Sequence, residues 1–232
     1  MCGILGIISI DSSKSLAEAG LEKSTFKKLL KLTERRGQDT SGAAVFSSNE
    51  CMVSRYNSSA SASLKGISLS STRAFLAHGR MITNGNKDNQ PVVKKDSLVL
   101  HNGIITNETL LRKTIEIVAE YEIDSEILID LYNKDKTTNG FSEAKGAINC
   151  LLWSKSTKSI HSYSNTGDLF ALYTGSLVIV ASEEYTLKQI NSDFPIPGSI
   201  VSLLGEHCLC DDLAADKIKV EDIGAAKYRV TK

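Results

Sequence analysis

The chain has 232 residues, with 27 basic and 27 acidic side chains and a hydrophobic fraction of 41%. This is the composition of a globular protein long enough for one large core. Zero formal net charge gives no whole-molecule field for polyanions, which argues against nucleic acid and anionic membrane as partners. No apolar stretch approaches the roughly 20 residues that span a bilayer. The amino end lacks a basic leader with a small-residue cleavage site, so a cytoplasmic protein is expected. Five cysteines, an odd number, exclude a full disulfide framework.

Short apolar runs bounded by Gly, Asn, Asp and Ser predict strands. The first covers 3–10. A helix over 22–36 follows, with Phe26, Leu29, Leu30 and Thr33 inward, Lys27, Lys31 and Arg35 on a solvated face, and Gly37 as a left-handed stop. Strands are expected at 42–46 and 51–56, then a mobile loop over the Ser/Ala alternation at 58–63, then strands at 73–77 and 97–101. Asn107 is a good N-cap for a helix that turns Leu110, Leu111, Thr114, Ile115 and Val118 inward. Shorter helices are expected after Asp124 and Ser182. Further strands fall at 147–154, 159–163, 169–173, 177–181, 199–204 and 207–211. His207, Cys208 and Cys210 have the spacing of alternate strand residues rather than of a tetrahedral metal site, and 203–209 reads as a β-hairpin. Many strands with few helices imply two packed sheets in an α+β domain. One domain is expected over 2–215, with the charged stretch 216–232 a tail, a linker stub or a terminal strand.

Chemistry is concentrated in a few places. Removal of Met1 would leave Cys2 with a free α-amine, which makes one residue both nucleophile and base, because an α-amine titrates near neutrality. His101-Asn102-Gly103 has two readings. Asn-Gly is the preferred pair of a tight hairpin turn, whereas the Asn102 amide and the Gly103 N–H together make two donors for a developing oxyanion. Arg80, at a strand end, has the planar fork suited to a small carboxylate. Asp124, at a helix start, suits either an N-cap or the ammonium group of a small molecule.

In order, Met1-Cys2-Gly3-Ile4, Arg36-Gly37-Gln38-Asp39-Thr40-Ser41-Gly42, the 78–85 segment followed by Gln90-Pro91, His101-Asn102-Gly103-Ile104-Ile105-Thr106-Asn107 and Asp124-Ser125-Glu126 resemble the glutaminase domain of class-II glutamine amidotransferases. These belong to the N-terminal nucleophile hydrolases. The resemblance spans most of the chain and implies a four-layer αββα sandwich of two antiparallel sheets. It makes Cys2 the nucleophile with its α-amine as general base, and Asn102 and Gly103 the oxyanion hole. Arg80, Thr83 and Asp124 match positions that hold the amino-acid end of glutamine, with Arg36, Asn84 and His101 in support.

The implied reaction is hydrolysis of the L-glutamine side-chain amide through a Cys2 thioester. Glutamate is released, and ammonia goes to an acceptor on a separate synthase domain or subunit. No metal or organic cofactor is called for. His101-Asn102-Gly103-Ile104-Ile105 is similar to the branch that aminates sugar phosphates, which points to amino-sugar biosynthesis. Met81 and Asn84 depart from the tryptophan and histidine common there. A catalytically inactive glutamine-binding or synthase-docking module is the alternative.

Overall fold

Alternation along the first strand sorts its side chains onto two faces. Leu5 and Ile7 join one apolar cluster, Ile4 and Ile8 another. All four are at most 1% exposed, and burial of each stabilises the fold by about 1.5–3 kcal/mol. In the computed structural model, which describes residues 2–81 and 89–223, the elements run β1 (Gly3–Ser9), α1 (Lys23–Thr33), β2 (Thr40–Phe46), β3 (Glu50–Tyr56), α2 (Ala60–Ser63), β4 (Ala74–Arg80), β5 (Val92–Lys94), β6 (Ser97–Ile105), α3 (Glu108–Thr114) and α4 (Glu126–Asp135). The second half adds β7 (Gly146–Ser154), β8 (Ser159–Ser164), β9 (Phe170–Tyr173), β10 (Leu177–Ala181), α5 (Glu184–Ile190), β11 (Ser199–Ser202), β12 (Gly205–Cys210) and β13 (Lys217–Ile223).

The described strands form two sheets, an eight-stranded one in the order β11-β9-β10-β1-β4-β2-β3-β13 and a five-stranded one in the order β12-β8-β7-β6-β5. Three apolar clusters fill the spaces between four layers. The first lies between α1, α2, α5 and the large sheet, the second between the sheets, and the third between the small sheet and α4. The fold is therefore an αββα sandwich. Gly6 lies where the sheets approach closely, and a Cβ there would come within 2.9 Å of Leu151 Cδ1 on β7, so that side chain would have to shift.

Several elements differ from their sequence reading. Asn102 and Gly103 do not turn. They lie inside β6, paired with Asn149 and Ile148 of β7, and Gly103 is required because a Cβ would fall 1.9 Å from the Ala147 carbonyl oxygen. Helix α3 ends at Thr114, leaving Leu110 and Val118 64% and 84% exposed while Arg112 is buried. An ion pair of Arg112 with buried Glu126 turns this helix away from its apolar stripe. Gly37 takes no left-handed conformation. Its bare backbone instead packs against residues 79–81, where a Cβ would meet the Arg80 carbonyl carbon at 2.5 Å.

The segment expected as a mobile loop contains α2, tied down by burial of Ala60 and Leu64 and by the Ser61 N–H donating to Glu34. Residues 203–209 are not a hairpin. β11 joins the large sheet and β12 the small one, and Gly205, at φ 84°, turns the chain between them. Within the stretch read as tail, stub or terminal strand, β13 pairs in parallel with β3, and Asp222 meets Arg55 at 3.1 Å. No helix among the described residues is long and apolar enough to cross a membrane.

Candidate active site

Strand parity brings the sequence candidates together. On β1, Cys2 has the parity of Ile4, and on β4, Arg80 has that of Leu76. On β6, Asn102 has that of Leu98 and Leu100. All of these reference residues face the layer between the sheets. Gly3 pairs with Gly79, so the next step of the same register sets Cys2 opposite Arg80. From the other sheet, Asn102 points its Oδ1 at the Cys2 nitrogen, 3.3 Å away. That contact leaves the Asn102 Nδ2 donor directed elsewhere. The Cys2 thiol, partly buried, lies 4.0 Å from the Met81 carbonyl.

Each strand end is held by side chains. Arg80, 4% exposed, pairs with Thr40, and its carbonyl accepts the Asp39 N–H at 3.0 Å. Beyond the end of β10, Ser182 extends the pairing to β1, because its Oγ accepts the Ile4 N–H at 2.9 Å and its own N–H reaches the Ile4 carbonyl at 3.2 Å. Arg36 donates to the Ser182 carbonyl at 3.1 Å and stands 3.9 Å from Glu183, beside Gly3 on the α1 side of β1. Asn149 donates to the Asn102 carbonyl at 3.2 Å. The Asp124 carboxylate accepts the Ile105 N–H at 2.8 Å and thus sits at the end of β6, while the N-cap position of α4 falls to Ser125. Thr83 and Asn84 lie outside the described residues.

His101 faces away from the inter-sheet layer. Its Nε2 meets the Ala147 carbonyl at 3.2 Å and its Nδ1 meets Ser125 Oγ at 3.0 Å. A carbonyl only accepts, so Nε2 carries the proton and Nδ1 accepts from the hydroxyl. Burial depresses the pKa of this ring, against the opposing charge of Asp124. The sequence marks Ser182 as a helix start and Ser125 as part of a motif, but it offers no site role for either of them or for Asn149. A serine or asparagine becomes informative only once its strand partner is known.

His78 also lies in the inter-sheet layer and is fully buried. Burial, and then the charge of Arg80, push its pKa from 6.5 down to about 3. Between those values the unfolded chain takes up a proton that the folded chain refuses. The stability contribution is therefore whole above pH 6.5 and is lost as the pH falls toward 3. His78→Leu should flatten the fall in urea-unfolding free energy between pH 7 and pH 4. An unchanged slope would contradict this account of His78.

The layers, with an N-terminal nucleophile candidate at the end of a central strand, define the fold of the N-terminal nucleophile hydrolases. The glutamine phosphoribosylpyrophosphate amidotransferase of B. subtilis superposes with a TM-score of 0.66 at 19% identity, over 92% of this chain and 50% of that one. Residues 78–189, just under half of the chain, match the family model described as a glutamine amidotransferase domain. The chain's curated relatives include glutamine–fructose-6-phosphate aminotransferases (isomerizing). That of Sulfurisphaera tokodaii is 31% identical over 65% of this chain and 27% of the relative. That of Pseudomonas syringae pv. tomato is 28% identical over 84% and 34%. The chain thus spans about a third of the length of these relatives.

Proposed function

We propose that this domain hydrolyses the side-chain amide of L-glutamine and supplies ammonia to a synthase domain or subunit, in the cytoplasm and in amino-sugar biosynthesis. The single observation that carries the reading is the approach of Asn102 from the small sheet to the Cys2 nitrogen on the large one. With Met1 removed, that nitrogen is an α-amine. It takes the thiol proton, directly or through one water, and the thiolate attacks the glutamine carboxamide carbon.

Negative charge then collects on the former carbonyl oxygen, where Asn102 Nδ2 and the Gly103 N–H donate. The protonated α-amine returns its proton to the leaving nitrogen and ammonia departs. Water attacks the γ-glutamyl thioester through a second tetrahedral intermediate, giving glutamate and the free thiol. Arg80, opposite Cys2, and Thr83 take the α-carboxylate of the substrate, and Asp124 takes its α-ammonium. Arg36 and His101 hold the strand ends in place, and Asn84 supports the same pocket.

The relatives' names, which join glutamine to fructose 6-phosphate, support the sugar-phosphate acceptor. The test compares glutamate or aspartate release from glutamine, asparagine and γ-glutamyl peptides by processed protein. Glutamine should react at least about tenfold faster than asparagine, because a one-carbon misplacement of the amide takes it off the oxyanion donors. Calorimetric binding of glutamine with no ammonia formed would overturn the enzymatic reading in favour of a glutamine-binding module.

A further inference from the structure

The small sheet loses its edge partner just where the site begins. β5 pairs with β6 through Val92↔Val99, Val93↔Leu98 and Lys94↔Ser97, and the same register would place residue 90 opposite His101. The backbone turns aside there, and the Gln90 side chain takes its place. Gln90 Oε1 accepts the His101 N–H at 2.6 Å, and Nε2 donates to the His101 carbonyl at 2.9 Å. A carboxamide presents one acceptor and one donor in a plane, as a peptide group does. Nε2 also lies 3.3 Å from Ser125 Oγ, the hydroxyl that meets the His101 ring. The side chain is buried, with Gln90 3% exposed.

The backbone of the same residue belongs to the other sheet. Gly42 on β2 leaves room for the Gln90 carbonyl oxygen, which a Cβ would meet at 2.0 Å. Asn89, immediately before it, donates to the Ser41 carbonyl at 3.0 Å and accepts from Thr40 at 3.1 Å. Arg55 of β3 donates to the Pro91 carbonyl at 2.9 Å. Gln90 is therefore anchored in the large sheet, which carries Cys2 and Arg80, and grips the residue before Asn102 in the small one.

We propose that Gln90 is a positioning residue, the bridge that fixes the oxyanion donor Asn102 relative to the Cys2 nucleophile across the two sheets. This rests on the glutaminase reading above. The role needs a donor and an acceptor together, so an ionised carboxylate at this position accepts from the His101 N–H but opposes the His101 carbonyl. A protonated carboxyl restores both contacts.

The experiment measures kcat and KM for glutamine hydrolysis from pH 5 to pH 8.5 for the parent, Gln90→Glu and Gln90→Met, with hydrogen exchange at the His101 amide as a readout independent of turnover. At pH 8, kcat of Gln90→Glu should fall about 10- to 100-fold from misplacement of Asn102. KM should hold within about twofold because Asp124 keeps its own tie to Ile105. The ratio to the parent should recover toward pH 5, while Gln90→Met stays impaired at every pH and exchanges the His101 amide faster. Parent-like kcat in Gln90→Glu at pH 8, loss without recovery at low pH, or unchanged exchange in Gln90→Met would each overturn the proposal. A parent that makes no glutamate, with faster exchange in Gln90→Met, would overturn the glutaminase reading and the catalytic role but leave the bridge itself in place.

Discussion

Cys2→Ala should reduce glutamate release from glutamine about 1,000-fold or more in kcat, because the thioester route disappears and only the oxyanion donors and binding remain. The fold should not change. Cys2 is partly buried and, among the described residues, its thiol meets the Met81 carbonyl at a long 4.0 Å, so the unfolding free energy should shift by no more than about 0.5 kcal/mol. A chain with one extra residue before Cys2 keeps the sulfur and loses the amine. It should be as inactive as the alanine variant if the α-amine is the base. Asn102→Ala removes an oxyanion donor and the acceptor facing the Cys2 nitrogen, at a cost of about 10²- to 10³-fold in kcat. Glutaminase rates on mass-verified protein decide the matter, and activity retained in Cys2→Ala would defeat the assignment.

Lys94→Met should destabilise the fold by about 3–5 kcal/mol, the usual cost of stripping one partner from a buried charge cluster. Lys94 Nζ lies 2.6 Å from Glu126 and 2.9 Å from Asp130, whose side chains are 0% and 3% exposed. Burial pushes Asp130 upward even beside Lys94. Burial also opposes ionisation of Glu126, but hydrogen bonds from Lys94 and from the N–H groups of Glu120 and Tyr121 outweigh it and hold this carboxyl below its ordinary range. Without the lysine, Arg112 at 3.1 Å from Glu126 is left to balance two carboxylates. Urea unfolding of Lys94→Met, Asp130→Asn and the double variant measures this. The double variant should recover part of the loss, and a single-variant cost below about 1 kcal/mol would show that the cluster is not a buried ionic one.

Which parts of this were legible in the sequence follows from how local each signal is. The inward face of α1, Phe26, Leu29, Leu30 and Thr33, was readable because period 3.6 is written within eleven residues, and the long strands were readable from their apolar runs. The three-residue β5 is too short to show a pattern. The face of α3 was misread because Arg112 is drawn inward by Glu126, fourteen positions away, against its own propensity. The Asn-Gly pair was ambiguous for a different reason. Glycine meets both a turn and a close approach to Ala147, and only the pairing of β6 with β7 separates the two. Cys2, Arg80 and Asn102 were nameable as residues able to do chemistry, but their meeting depends on register and on the spacing of two sheets. Gln90 and Ser182 act through backbone groups of other strands, which no residue-type pattern reveals.

The most direct measurement treats processed protein with an electrophilic analogue of glutamine and maps the adduct by mass spectrometry. The account predicts one adduct per chain, on Cys2, prevented by excess glutamine. Cys51, Cys150, Cys208 and Cys210 should remain unlabelled. An adduct elsewhere, or full turnover by protein whose amino terminus still carries methionine, would contradict it.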